Sequence, residues 1–82
     1  MIFGAFKAPD DQPIDKVILN LEAVEFIAPR IGPGYEGQCE VFMASGASVY
    51  IDALPVDFTK ALLEAIKQAE NRAVVSNIIK VN

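Results

Sequence analysis

The side chains that could carry out chemistry in this sequence are one cysteine, Cys39, and a few pairs of carboxylates. Histidine is absent, so the commonest general base and metal ligand is missing. A reactive thiolate needs a cation or a helix amino terminus beside it, whereas Cys39 lies in an alternation of apolar residues. We therefore interpret Cys39 as a buried structural residue.

Two other patterns that could carry chemistry are better explained as surface features. Paired carboxylates divide acid and base roles only where their surroundings separate their pKa values, and no such pocket is indicated. The segment IGPGYEG (31–37) lacks the Lys-Ser/Thr ending of a phosphate-binding loop and does not open into a helix. We predict no catalytic, cofactor-binding or metal-binding residue and do not expect an enzyme. The carboxylate pairs are Glu22 with Glu25, Asp10 with Asp11, and Glu40 with Asp52.

The stretch from Glu40 to Asp52 is typical of a β-hairpin, because two runs rich in Val, Phe, Tyr and Ile flank a Ser-Gly pair. Strand side chains alternate, so the loop length decides which of them share a face. A two-residue Ser45-Gly46 turn would mix apolar and polar side chains. A three-residue loop (44–46) makes one face wholly apolar and places Gly46 where a left-handed residue is required. We favour this register, which pairs Met43 with Ala47, Val41 with Val49, and Cys39 with Ile51.

In the favoured register, two large aromatic side chains, Phe42 and Tyr50, stand on the face opposite the core. Such residues are either covered by another part of the chain, here residues 1–6 or the carboxy-terminal tail, or exposed as a contact surface. Tyr and Phe are enriched at protein interfaces. The predicted partner-contact residues are Phe42, Tyr50, Glu40 and Ser48.

The remaining segments predict a single α+β domain spanning residues 1–82, in which a small antiparallel sheet of four or five strands packs on one main helix. Residues 1–6 are typical of a short strand or apolar arm. Strands are predicted near 16–19 and 23–28, separated by a tight turn or one helical turn capped by Asn20. Residues 7–13 and 30–38 are predicted loops.

An amphipathic helix is predicted after Ala53, with Pro55 in its first turn and an apolar stripe that covers the sheet. The helix is predicted to stop at Asn71-Arg72, after which residues 73–82 predict a final strand. A helix running on through Val75 is the alternative. The predicted stripe contains Phe58, Leu62, Ile66 and Ala69, joined by Leu63 and Ala65, and the predicted strand has Val75, Ile79 and Val81 on one side.

The charge distribution bears on possible partners. The net charge is −4, and the seven Lys and Arg residues are scattered, which counts against nucleic acid and against an anionic membrane surface. No apolar run approaches the roughly 18 residues that span a bilayer, and the amino terminus has no secretory signal pattern. A single cysteine cannot form an intrachain disulfide. We expect a cytoplasmic protein without a membrane partner.

The segment from Lys16 to Ile66 resembles the carboxy-terminal half of LytTR-type DNA-binding domains of bacterial response regulators, and it is similar to small flagellar FlbD-type proteins. The likeness consists of an Asn-Leu pair ending a strand, spaced apolar residues, a hairpin centred on Gly46, and a helix. It implies a strand-hairpin-helix fold. The matching positions are Ile18, Leu19, Asn20 and Leu21, then Val24 and Ile27, then Val41, Met43, Gly46, Val49 and Ile51, and finally Leu62, Leu63 and Ile66.

Two function classes follow from these observations. LytTR-type domains carry basic and histidine residues around the asparagine strand, whereas this chain has Asp10, Asp11 and Asp15 upstream and no histidine. The leading hypothesis is therefore a small non-enzymatic interaction or structural module that self-associates. The alternative, implied by the resemblance, is a LytTR-like DNA-binding or transcriptional accessory protein.

Overall fold

The computed structural model describes the backbone of residues 1–81 and the side chains of residues 1–72. These residues form an α+β fold, which confirms the predicted fold class. A short 3-10 turn (Leu21–Ala23) separates the second and third strands. The strands are β1 (Phe3–Lys7), β2 (Lys16–Asn20), β3 (Val24–Pro29), β4 (Cys39–Met43) and β5 (Ser48–Ile51), followed by the helix α1 (Pro55–Val81).

The strands form two antiparallel sheets, one of β1 and β2 and one in the order β3–β4–β5, where a single sheet was predicted. The 3-10 turn separates them. Its start is fixed by the Asn20 side chain, whose Oδ1 accepts the Glu22 N–H at 3.2 Å. The Leu21 N–H donates to the Ile2 carbonyl at 2.7 Å, so the chain leaves β1 there and continues into a strand that pairs with β4. The predicted Asn20-capped turn is confirmed.

The β4–β5 hairpin has the three-residue loop that the sequence favoured. Val41 lies opposite Val49, and Cys39 lies opposite Ile51. The Met43 N–H donates to the Ala47 carbonyl at 2.8 Å, which closes the loop. Gly46 has φ +93°, so it occupies the left-handed conformation as predicted.

The core lies between the inner faces of the two sheets and the first turns of α1. The hairpin contributes Cys39, Val41 and Ile51, all fully buried, as the favoured register requires. Phe58 of α1 is 1% exposed, and its ring centroid lies 4.7 Å from that of Phe6 in β1. Phe58 therefore joins the helix to both sheets. The other members of the buried apolar cluster are Ala8, Val17, Leu19 and Leu21.

The helix begins at Pro55 as predicted, and the Phe58 N–H donates to the Leu54 carbonyl at 2.9 Å. Leu62, Ala65 and Ile66 pack against the core, which confirms most of the predicted stripe. Leu63 is wrongly included in it, because its side chain is 59% exposed. Five residues after Phe58, it lies about 140° around the helix from the buried position.

The predicted helix stop at Asn71-Arg72 and the predicted strand over 73–82 are wrong, because α1 continues to Val81. Residues 71–81 contain no Gly or Pro, so no residue interrupts the helical hydrogen bonds. The alternative, a helix through Val75, is what the structure has. The predicted common side of Val75, Ile79 and Val81 lies outside the described side chains. The 27-residue helix is about 40 Å long.

Candidate functional site

The four predicted contact residues lie together on the outer face of the three-stranded sheet. Glu40 pairs directly with Tyr50, and Phe42 pairs with Ser48. The Ser48 hydroxyl donates to Glu40 Oε2 at 2.8 Å, which ties the two polar side chains to each other. We call this surface the aromatic face. It consists of Phe26, Ala28, Glu40, Phe42, Ser48 and Tyr50.

Strand β3 supplies an aromatic residue that the sequence analysis missed. Between Val24 and Phe26 the pairing with β4 shifts by one residue, so the strand contains a bulge. Because of the bulge, Val24 packs against the core while Phe26, two residues later, lies opposite Phe42 on the outer face. Regular alternation would have put Val24 and Phe26 on one side. The sequence carries no glycine or other signal for this bulge.

Phe26 and Phe42 form a stacked pair, with ring centroids 4.2 Å apart and ring planes 11° from parallel. Phe26 remains 52% exposed even in this stack, and Phe42 is half-buried. The pair therefore offers a flat apolar surface to solvent at one end of the aromatic face.

The other end of the aromatic face is closed by Arg30. Its guanidinium carbon lies 3.8 Å from the centroid of the Tyr50 ring and 3.7 Å from that of Tyr35, so the cation is held between two aromatic rings. The Arg30 side chain is only 7% exposed. Tyr35, the aromatic residue of the segment 31–37, is thus packed on Arg30.

Arg30 is also held by three hydrogen bonds in the plane of its guanidinium. It donates to both carboxylate oxygens of Asp11, at 3.0 and 2.7 Å, and to Gln38 Oε1 at 2.8 Å. The hydrogen bond and the positive charge of Arg30 lower the pKa of Asp11 below the usual aspartate range. The pair is a bidentate one of the kind that favours fixed geometry. The Asp11 carboxylate therefore neutralises the charge of the Arg30 guanidinium where Arg30 borders the aromatic face.

The predicted intrachain cover exists in part, but it comes from other residues than expected. Phe42 is stacked on Phe26 of β3, and Tyr50 is covered by Arg30. Residues 1–6 were the expected cover, and this is wrong: β1 belongs to the other sheet, where Phe6 faces Phe58. The tail, the other expected cover, lies outside the described side chains.

The remaining candidate groups have different neighbours from one another. Cys39 is fully buried as predicted, and burial raises the pKa of its thiol to about 11. Asp52 forms an ion pair with Lys7, with Nζ and Oδ2 3.2 Å apart, whereas Glu40 binds Ser48. The structure therefore gives these two carboxylates, paired in the sequence analysis, separate partners.

Within the described part of the chain, no helix combines the length and the apolar character needed to cross a membrane. Comparison of the chain with protein-family models, with curated proteins and with solved structures finds no match. The resemblance to LytTR-type and FlbD-type proteins therefore stays a prediction.

Proposed function

We propose that this protein is a small non-enzymatic interaction module that self-associates through the aromatic face. The observation that carries the proposal is the Phe26–Phe42 stack, in which a phenylalanine on a sheet surface remains 52% exposed. Burying such a ring in an interface contributes roughly 25 cal/mol per Å² of apolar area removed from water. The two rings already pack on each other, so association orders few additional side-chain torsions.

The surroundings of the stack match the arrangement of an interface, with an apolar centre and a polar rim. Glu40 and Ser48 satisfy each other by a hydrogen bond beside the rings. Arg30 is paired with Asp11 at the far end. A second copy would present the same flat surface, and two such sheets can pack face to face about 10 Å apart. Neither copy would bring an unpaired arginine into the contact.

The same pairing supports a protein contact over the LytTR-like DNA-binding alternative. Phosphate recognition depends on Lys and Arg side chains that can neutralise phosphates. Arg30 is held by Asp11, and Lys7 is 3.2 Å from Asp52. An anionic ligand would have to compete with these carboxylates for both cations. The chain as a whole carries a net charge of −4.

Sedimentation velocity over a range of concentrations tests the proposal. The wild type should sediment as an oligomer, and Phe26→Glu and Phe42→Glu should each lower the sedimentation coefficient because they place a carboxylate within the contact. Phe3→Glu is the matched control: Phe3 is 59% exposed but lies on the other sheet, so this variant should keep the wild-type mass. Circular dichroism checks that each variant is folded.

Two outcomes would refute the proposed contact. The first is a wild type that stays monomeric at every concentration, and the second is a folded Phe26→Glu variant that sediments like the wild type. Titration of the wild type with duplex DNA at low and high salt tests the alternative, LytTR-like DNA binding. Binding that weakens steeply with salt would replace the present proposal with the DNA-binding function.

A further inference from the structure

The two-stranded sheet has an open edge at β2. Among residues 1–81, β2 pairs with β1 alone. Hydrogen bonds at the two ends of this ladder join the Ala8 N–H to the Asp15 carbonyl at 2.9 Å and the Leu21 N–H to the Ile2 carbonyl at 2.7 Å. Backbone groups of successive residues point to opposite sides of an antiparallel strand. Residues 15, 17, 19 and 21 therefore bond to β1, and residues 16, 18 and 20 direct their N–H and C=O groups away from it.

This edge has few of the features that protect edge strands from pairing. Such strands commonly contain a proline, a bulge or an inward-pointing charge. β2 has the sequence KVILN and pairs with β1 without a register shift. Its central residue, Ile18, is 73% exposed, although Lys16 at one end is charged. A two-stranded sheet is also marginal by itself and gains from further strands.

We propose that two copies of this chain pair through β2 in antiparallel orientation, about a two-fold axis at Ile18, to form a continuous four-stranded sheet. Ile18 of one copy then lies opposite Ile18 of the other, and Lys16 lies opposite Asn20. This register uses the outward N–H and C=O groups of residues 16, 18 and 20 in both copies, which gives about six backbone hydrogen bonds. A shift by two residues would leave some of these groups unpaired.

A second copy fits this edge because the strand is complementary to itself. Read in either direction, β2 has a polar residue at each end and an isoleucine at its centre. Lysine meets a neutral asparagine in this register, so no like charges face each other. On the same outer surface, Ala5 lies opposite Ile18 within each copy, so the joined sheet carries a continuous apolar row. Two-fold pairing of this kind closes after two copies.

The β2 edge lies on a different sheet from the aromatic face, so this inference does not rest on the function proposed above. Phe26→Glu changes the aromatic face and leaves β2 intact. A substitution at Ile18 changes the β2 edge and leaves the aromatic face intact. The two surfaces can therefore fail or succeed separately in experiments.

Cysteine cross-linking tests the pairing directly. In the proposed dimer the two Ile18 residues form a hydrogen-bonded pair, so their Cα atoms lie about 5.5 Å apart, within the range that a disulfide spans. Ile18→Cys treated with oxidised glutathione should form a covalent dimer, in which two thiols are oxidised and the glutathione disulfide is reduced. Ala5→Cys is the control. It has the same exposed thiol on the same sheet face, but its Cα atoms would be about 14 Å apart, three strand spacings, and should not cross-link.

Hydrogen exchange of the unmodified protein provides a second readout. The amides of Lys16, Ile18 and Asn20 should exchange at least tenfold more slowly at high than at low protein concentration. The other strands of the fold serve as internal references.

Equal cross-linking of Ile18→Cys and Ala5→Cys, or no cross-linking of Ile18→Cys, would overturn the proposal. Concentration-independent exchange at these three amides would overturn it as well. If exchange slowed only when a peptide strand of another sequence was added, and not at high protein concentration, the edge would be assigned to another partner.

Discussion

Replacing Phe58 with alanine tests whether one side chain joins the helix to both sheets. Phe58 is 1% exposed and packs against Phe6, with ring centroids 4.7 Å apart. Truncating a buried phenylalanine costs about 3–5 kcal/mol, of which roughly 0.5–1.5 kcal/mol belongs to the aromatic pair. Alanine regains about 0.5 kcal/mol because it is the better helix former. The free energy of unfolding should therefore fall by about 2.5–4.5 kcal/mol.

This loss is large for a chain of 82 residues, whose whole stability is about 4–12 kcal/mol at ordinary per-residue values. Urea unfolding followed by circular dichroism, at one fixed chain concentration, measures it, since association makes stability depend on concentration. Leu63→Ala is the matched control in the same helix. Leu63 is 59% exposed, so this variant should stay within about 0.5 kcal/mol of the wild type. Equal effects of the two substitutions would refute the assigned role of Phe58.

Substitutions at two further places probe the hairpin loop and the arginine site. Gly46→Ala should lower the free energy of unfolding by about 1–2 kcal/mol, because φ is +93°. The added Cβ meets no atom within 4 Å, so the cost comes from the backbone alone. Gly46→Asn should cost less, and thermal denaturation that shows alanine to be neutral would contradict the left-handed assignment. The lowered pKa of Asp11 means that its pairing with Arg30 stabilises the fold above the usual aspartate pKa and is lost as pH falls through the lowered value. Asp11→Asn should remove this part of the acid dependence of stability, whereas the neighbouring Asp10→Asn should keep it, and identical acid unfolding curves for the two variants would argue against the pairing.

The parts of the fold that sequence reasoning predicted are those set by local rules. Strand alternation together with one glycine fixed the hairpin register, because only a three-residue loop gathers Cys39, Val41 and Ile51 on one face. The Asn20 turn followed from a side chain that bonds to an amide two residues away. Both signals lie within about a dozen residues of the structure they determine.

The parts that were missed depend on distant or cooperative effects. Phe26 lies on the aromatic face because of a bulge that no residue type in the sequence indicates. Arg30 lies in a glycine-rich loop, and its partner Asp11 is 19 positions away. Residues 73–81 are rich in Val and Ile, whose strand preference depends on context. An established helix adds residues at little cost, so α1 extends through them to Val81.

Arg30 links separate segments of this chain, as a disulfide does in many small domains. A protein with one cysteine has no internal disulfide with which to fasten its loops. The guanidinium instead fastens residues 11, 35, 38 and 50 to one point through ionic, hydrogen-bonding and ring contacts. Such a tie is indifferent to reductants and oxidants, and protonation of the Asp11 carboxylate in acid weakens it. The loops should therefore keep the same arrangement in reducing and oxidising surroundings alike.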